Sequence, residues 1–233
     1  MTDDYQYSSE ELAAAARKLL QEPAIRWSSL AGLIEIWDDD AWLDEGRKRY
    51  HAAAPMETDT DPMISAFKYS FSVTQEPWRV RMQLMGHTVA DTLQSPPELI
   101  VCRGQTWWAK TGLQVITNEA RENSRLGLFG LDLMVAPAQL AGTIDIRQAK
   151  RVTPGRRKAI LLSASASEMI WQHVPELVVL SASRYELEVD EDLGILLATR
   201  AYIDNRIARS MVLHDLQVDQ NQYGDEEFNI PTR

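Results

Sequence analysis

The chain has 233 residues, 45 % hydrophobic and 25 % charged, with 24 Lys and Arg against 34 Asp and Glu for a net charge of -10. That acidic balance disfavours nucleic acid or an anionic membrane as the main partner, since both repel it. The single cysteine, Cys102, excludes an intrachain disulfide framework, and one domain of this length buries roughly 70 to 75 % of its unfolded surface without needing one.

The N-terminus, MTDDYQYSSEELAAAARKLL, is acidic and polar and lacks the basic start, apolar core and cleavage site of a secretory signal. No apolar run approaches bilayer-spanning length, so the sequence predicts a soluble, cytoplasmic chain with no integral membrane segment. Ser8-Ser9, Glu10-Glu11 and then Leu12, Ala15, Ala16, Leu19 and Leu20 predict a capped amphipathic helix over about 8-22, stopped by Pro23. Trp27 to Trp37 is the first strand, closed by Asp38-Asp39-Asp40, acids expected to end the pairing and face water. Asp44 to Pro62 suits a long loop or a short helix.

The next hairpin is the richest in chemistry. Phe67, Tyr69, Phe71 and Val73 share one face and Lys68, Ser70 and Ser72 the other. After Gln75-Glu76-Pro77, the return strand sets Trp78, Val80, Met82 and Leu84 against Arg79, Arg81 and Gln83. Short strands follow at Leu99-Arg103, Thr106-Lys110 and Leu113-Asn118, separated by Gly104 and Gly112. Cys102 lies in the apolar run from Leu99 and reads as a small buried hydrophobe. Trp107 and Trp108 are neighbours on a strand and point to opposite faces, one of them inward.

Leu126 to Leu140 is too apolar for a solvent loop and reads as a helical lid or plug against the sheet, with a short helix from Pro137. Strands resume at Thr143-Val152, at Ala159-Ser165 beyond a basic hairpin tip of solvated charges, and at Val178-Ser183. The closing run from Arg184 to Val218 is an antiparallel meander. Tyr185, Leu187 and Val189 alternate with Glu186, Glu188 and Asp190, and the turns fall at Asp192-Leu193-Gly194 and Asp204-Asn205. The acids of this meander, with Glu191 and Asp192, are expected to face water, and its last strand to lie at one end of the sheet, leaving an edge. The reading gives ten or eleven strands, two or three helices and one domain over 1-233: helix, curved sheet with helical lid over about 25-220, and a short polar tail.

No motif carries chemistry. His51, His87, His173 and His214 are dispersed, and Glu57-Thr58-Asp59-Thr60-Asp61 lacks the glycine and distal Glu of a calcium loop. G-x-S-x-G, G-x-x-x-x-G-K-[ST] and G-x-G-x-x-G are absent, and Gly127 and Gly130 lack a phosphate-cradle context. No catalytic residue, metal ligand or cofactor is indicated.

The order of elements resembles the LolA-like family of lipoprotein carriers and related lipid-binding and envelope-stress regulatory domains. The resemblance covers most of the chain and rests on FKYSFSVTQEPWRVRMQL, TWWAKTGLQVITN, the Leu126-Ala141 segment and the terminal meander. The last two stretches look like uncharacterised actinobacterial relatives. The resemblance implies a mainly β fold, an incomplete antiparallel barrel closed by helices around an apolar cavity. It also implies a non-enzymatic task, either holding a lipid, acyl chain or other hydrophobic small molecule, or acting as a regulatory or scaffolding module through protein contacts, self-association included. The family's export signal and lipobox cysteine have no counterpart here. The cavity wall expected from the alternation and the lid is Phe67, Tyr69, Phe71, Trp78, Val80, Met82, Trp107, Leu128, Phe129 and Leu133, residues that either line a pocket or pack as ordinary core.

Overall fold

The structure, a computed structural model, describes residues 8–21, 26–39, 41–43, 45–46, 64–88, 96–104, 106–119, 130–142, 144–166, 179, 182–220 and 223–229. Helix α1 (Ser9–Gln21) opens with a reciprocal capping box: Ser8 Oγ accepts from the Glu11 N–H at 3.2 Å, and Glu11 Oε2 accepts from the Ser8 N–H at 2.7 Å. Those bonds hold the exposed Glu11 carboxyl below the usual carboxylate range. Leu12, Ala16 and Leu20, spaced four apart, form its buried stripe.

Eleven antiparallel strands follow among the described residues: β1 (Ser29–Asp39), β2 (Ile64–Thr74), β3 (Arg79–Thr88), β4 (Leu99–Arg103), β5 (Thr106–Thr111), β6 (Gln114–Glu119), β7 (Ile144–Val152), β8 (Ala159–Ala166), β9 (Arg184–Asp190), β10 (Leu196–Ile203) and β11 (Arg206–Val218). They form one open sheet in the order β6-β5-β4-β3-β2-β1-β11-β10-β9-β8-β7. Every chain-consecutive pair except β6 and β7 is therefore a spatial neighbour, and the long-range pairing of β1 with β11 joins the two halves. The architecture is an incomplete barrel with helices, as expected. Two details differ. The meander's last strand lies in the middle of the sheet, so the free edges are β6 and β7. The expected strand at Val178–Ser183 is absent from its described residues, because Ala182 N–H turns back to the Val179 carbonyl at 3.1 Å and only Ser183 reaches the sheet, through Tyr202 O at 2.8 Å.

The inner face of the sheet, α1, a short helix α2 (Leu131–Val135) and the 3-10 turn Pro137–Gly142 enclose one apolar core. Helix α1 packs on β7, β8 and β9, and α2 on β10. Ser9 Oγ also accepts the Ala149 N–H at 3.0 Å, so the start of α1 shields part of the β7 edge.

The strand-end acids depart from the sequence expectation of solvated carboxylates. Asp38 is buried and takes two N–H bonds from Arg209, at 2.7 and 3.0 Å, across the β1–β11 register. Asp190 is also buried: Oδ2 receives Arg157 at 2.9 Å while Oδ1 accepts the N–H groups of Asp192 and Leu193, both at 2.9 Å. Arg151 reaches Glu191 at 3.0 Å, so the basic β7–β8 tip neutralises the acidic β9–β10 turn rather than standing in solvent alone. Asp219, at the end of β11, collects both N–H groups and the hydroxyl of Ser28-Ser29 at 2.7 to 2.8 Å. Those bonds lower its pKa.

The C-terminal tail is not simply polar. Residues 223–229, with a 3-10 turn at Asp225–Phe228, dock on the outer face of β3 and β4 and bury Phe228 completely. Full burial of one such ring stabilises by about 1.5–3 kcal/mol, and each partly exposed ion pair adds about 0–1 kcal/mol.

Candidate functional site

Strand registers place a row of inner-face residues straight across the N-terminal half of the sheet. Phe71 faces Met82, Met82 faces Ile100, Ile100 faces Ala109, and Ala109 faces Ile116. Each step is a direct cross-strand pair, so the side chains share one surface. Their exposures are 3, 0, 3, 6 and 55 %. The row is thus buried from the middle of the sheet outward and meets solvent at β6, the free edge. Four strand spacings of ~4.8 Å give it a length of roughly 19 Å, on the scale of a long extended acyl chain.

The next row, Val73, Val80, Cys102 and Trp107, runs parallel to it. Val73 and Val80 are fully buried, Cys102 is buried with its thiol against Gly104 O at 3.5 Å, and Trp107 packs against the core. Trp107 Nε1 is buried and donates to no acceptor among the described residues. A buried indole N–H without an acceptor carries a desolvation cost of about 1–3 kcal/mol that a bound oxygen would remove. Tyr69 lies one pair further along β2, opposite Leu84; its ring is fully buried and burial pushes its hydroxyl pKa up.

The sequence-predicted wall is therefore partly assembled. Tyr69, Phe71, Val80 and Met82 are buried on the inner face together, while Phe67, Trp78 and Trp107 are half-buried and packed against the same core. Leu133 is buried in α2, which sits under β10 in the other half of the sheet. Leu128 and Phe129 lie outside the described residues, as do His51, His173 and the Glu57–Asp61 acids. Of the tryptophan pair, Trp107 is the inward one and Trp108 the outward one, opposite Val101. Sequence reasoning missed Ile116 and Ala109. Ile116 is the second of two adjacent apolar residues in QVITN and Ala109 stands between Trp108 and Lys110, so neither is marked by a clean alternation.

The outer face carries ion pairs instead. Glu35 lies between Lys68 at 2.7 Å and His214 at 3.2 Å, and the Lys68 hydrogen bond is the main reason its pKa is lowered. On the meander Arg200 pairs with Glu188 at 3.1 Å, Tyr202 donates to Glu186 at 2.7 Å, and the Arg184 guanidinium stacks 4.0 Å above the Tyr202 ring. A groove of about 560 Å³ beside them is lined by Lys150, Leu161, Ser163, Arg184 and Glu186 among others, and by none of the expected wall residues. Among the described residues no cluster of His, Cys, Asp and Glu could hold a metal ion, and no helix is long and apolar enough to cross a membrane.

No known protein family matches the sequence, and no curated protein does. Solved structures match at low identity. The lipoprotein LppX of Mycobacterium tuberculosis superposes with a TM-score of 0.51 at 10 % identity, over 91 % of this chain and 97 % of its own. A chain of the Pseudomonas aeruginosa MucA/MucB complex gives 0.49 at 12 % identity, over 96 % of this chain and 61 % of its own, so this chain spans about three-fifths of that protein. The LolA superfamily protein NE2245 of Nitrosomonas europaea gives 0.36 at 8 % identity, over 96 % and 98 %. Identities this low bear on fold alone. The likeness to LppX extends over nearly all of both chains and bears on this fold, an open antiparallel sheet backed by helices.

Proposed function

We propose that the chain is a non-enzymatic binding protein that holds a lipid or acyl chain along the inner face of the half-barrel. The observation that carries this reading is the apolar row from Phe71 to Ile116, buried from β2 to β5 and exposed at the β6 edge. An alkyl chain laid along it would gain about 25 cal/mol for each Å² of apolar surface removed from water. Trp107 Nε1, one row away, would donate to an oxygen of the polar head. Tyr69, Val80 and Met82, buried on the same inner face, with Phe67 and Trp78 packed against the same core, wall the inner end of the row. The sequence resemblance to lipid-holding LolA-like proteins points the same way.

Ile116 is the test position, because it lines the mouth and is more than half exposed. Ile116→Lys is expected to weaken uptake of a fluorescent fatty-acid analogue at least about tenfold, equivalent to roughly 1.4 kcal/mol. Its effect on stability should stay within about 0.5 kcal/mol, as for an ordinary surface substitution. Titration of the probe into both proteins checks this. Unchanged affinity in the variant, or no uptake by the parent chain, would remove the row as the binding surface.

A further inference from the structure

We propose that the outer face of β3 and β4 is a docking site for acidic peptide segments bearing an aromatic residue, and that the chain's own tail fills it. The site is built from three arginines on one face. Arg79 and Arg103 are direct cross-strand partners, and Arg81 is the next residue of β3 on that side, opposite the fully buried Val101. Like charges placed directly opposite repel, so this arrangement is unfavourable until anionic groups cover it. In a chain of net charge -10, such a cation cluster is also against the prevailing charge.

The tail supplies what the cluster requires. Asp225 pairs with Arg79, and Glu227 lies 3.7 Å from Arg81. Arg103 donates to the carbonyls of Phe228 at 2.7 Å and Asp225 at 3.3 Å, and Arg81 to that of Glu227 at 3.2 Å. The Phe228 ring is fully buried, with the Arg79 guanidinium 5.6 Å from its centre and Tyr223 edge-on at 6.2 Å. Because three of these contacts read backbone carbonyls and Arg103 also donates to Asn229 Oδ1 at 3.4 Å, the side-chain demand reduces to acid, spacer, acid, aromatic, amide. That is a short-motif recognition surface.

Tethering accounts for much of the occupancy. The Asp225 and Glu227 side chains are 85 and 41 % exposed even when docked, and the regular part is a four-residue turn. In the sheet β11 and β3 are three strand spacings apart, roughly 14 Å at ~4.8 Å per strand. The residues from Asp219 to Asp225 can span about 20 Å when extended. A linker that just covers the gap gives a local concentration in the millimolar range. A partner segment with the same pattern competes for the same arginines, with its affinity reduced by that factor. Arg79 and Arg81 alternate along β3 with Val80 and Met82, so such a partner would sit back to back with the apolar wall, though docking does not depend on what the wall holds.

The test uses the full chain and a fluorescein-labelled peptide of sequence Tyr223 to Asn229, followed by fluorescence anisotropy. Two variants open the site: Phe228→Ala, and Asp225→Lys with Glu227→Lys, the latter altering an exposed and a half-buried carboxylate and no core residue. Both are expected to bind the peptide at least about tenfold more tightly than the parent chain, with affinity falling as salt is raised and lost when Arg103→Ala is added. A peptide with alanine in place of its phenylalanine, and a scrambled one of equal charge, should bind at least tenfold more weakly. Equal binding by parent and opened chains, absence of binding to both opened chains, or equal binding of the control peptides would overturn the proposal.

Discussion

Replacing Asp190 by alanine is expected to lower the unfolding free energy by about 2–4 kcal/mol, from N–H groups of the turn left without their acceptor and the loss of an ion pair to the 31 % exposed Arg157. Asp190 is 1 % exposed, and its carboxylate binds Arg157 and the N–H groups of Asp192 and Leu193 at 2.9 Å each. Alanine removes the acceptor from a turn whose Leu193 is buried, and an unpaired buried N–H alone costs about 1–3 kcal/mol. In a domain of this size the loss corresponds to a drop in Tm of roughly 10 °C. Asp190→Asn keeps one oxygen acceptor but gives up the charge toward Arg157, so it should lose about half as much. Chemical denaturation of the two variants separates the contributions. An alanine variant within 1 kcal/mol of the parent would mean that water replaces the carboxylate and that the turn is not held from inside.

Gly32→Ala is expected to cost about 2 kcal/mol, although alanine normally favours folding over glycine by about 0.4–1 kcal/mol where it fits. Here it does not fit. A Cβ on Gly32 would stand 2.7 Å from the His214 carbonyl oxygen and 3.3 Å from the Phe71 ring. The carbonyl belongs to β11 at the place where the β1–β11 register slips, between Ala31 and Leu33, so it cannot withdraw without loosening the seam joining the two halves. Crowding a packed site in this way costs about 1–3 kcal/mol. Phe71 is paired with Gly32 and heads the apolar row, so the same substitution should weaken fatty-acid probe binding as well as lowering Tm. A variant as stable as the parent would show that the seam yields.

What was legible in the sequence was local. The capping box at Ser8 and Glu11, the strand limits at Leu99–Arg103 and the inward side of Tyr69, Phe71, Val80 and Met82 follow from spacing alone, because turns and period-two alternation are properties of neighbouring residues. The position of the meander was not legible. Pairing β11 with β1 is a contact between the chain's two ends, and no hairpin signal encodes it. The apolar row depends on four registers in succession, so Ile116 could not be aligned with Met82 by reading along the chain. The strand-end acids were misread for a related reason. Asp38 and Asp190 look like residues that stop a strand, but their arginine partners come from β11 and from the β7–β8 tip, 171 and 33 residues away in sequence. The run at Val178–Ser183 has the composition of a strand but no strand pairing among its described residues.

If the half-barrel's inner face holds an alkyl chain, that chain should travel with the purified protein. Native mass spectrometry of the full chain, purified without detergent from its own cells, tests it most directly when followed by solvent extraction of whatever is released. A fraction of the protein is expected to carry one adduct with the mass of a lipid or fatty acid, stripped by organic solvent and depleted in Ile116→Lys. A chain that is wholly unliganded, and that remains so after incubation with fatty acids, would contradict it.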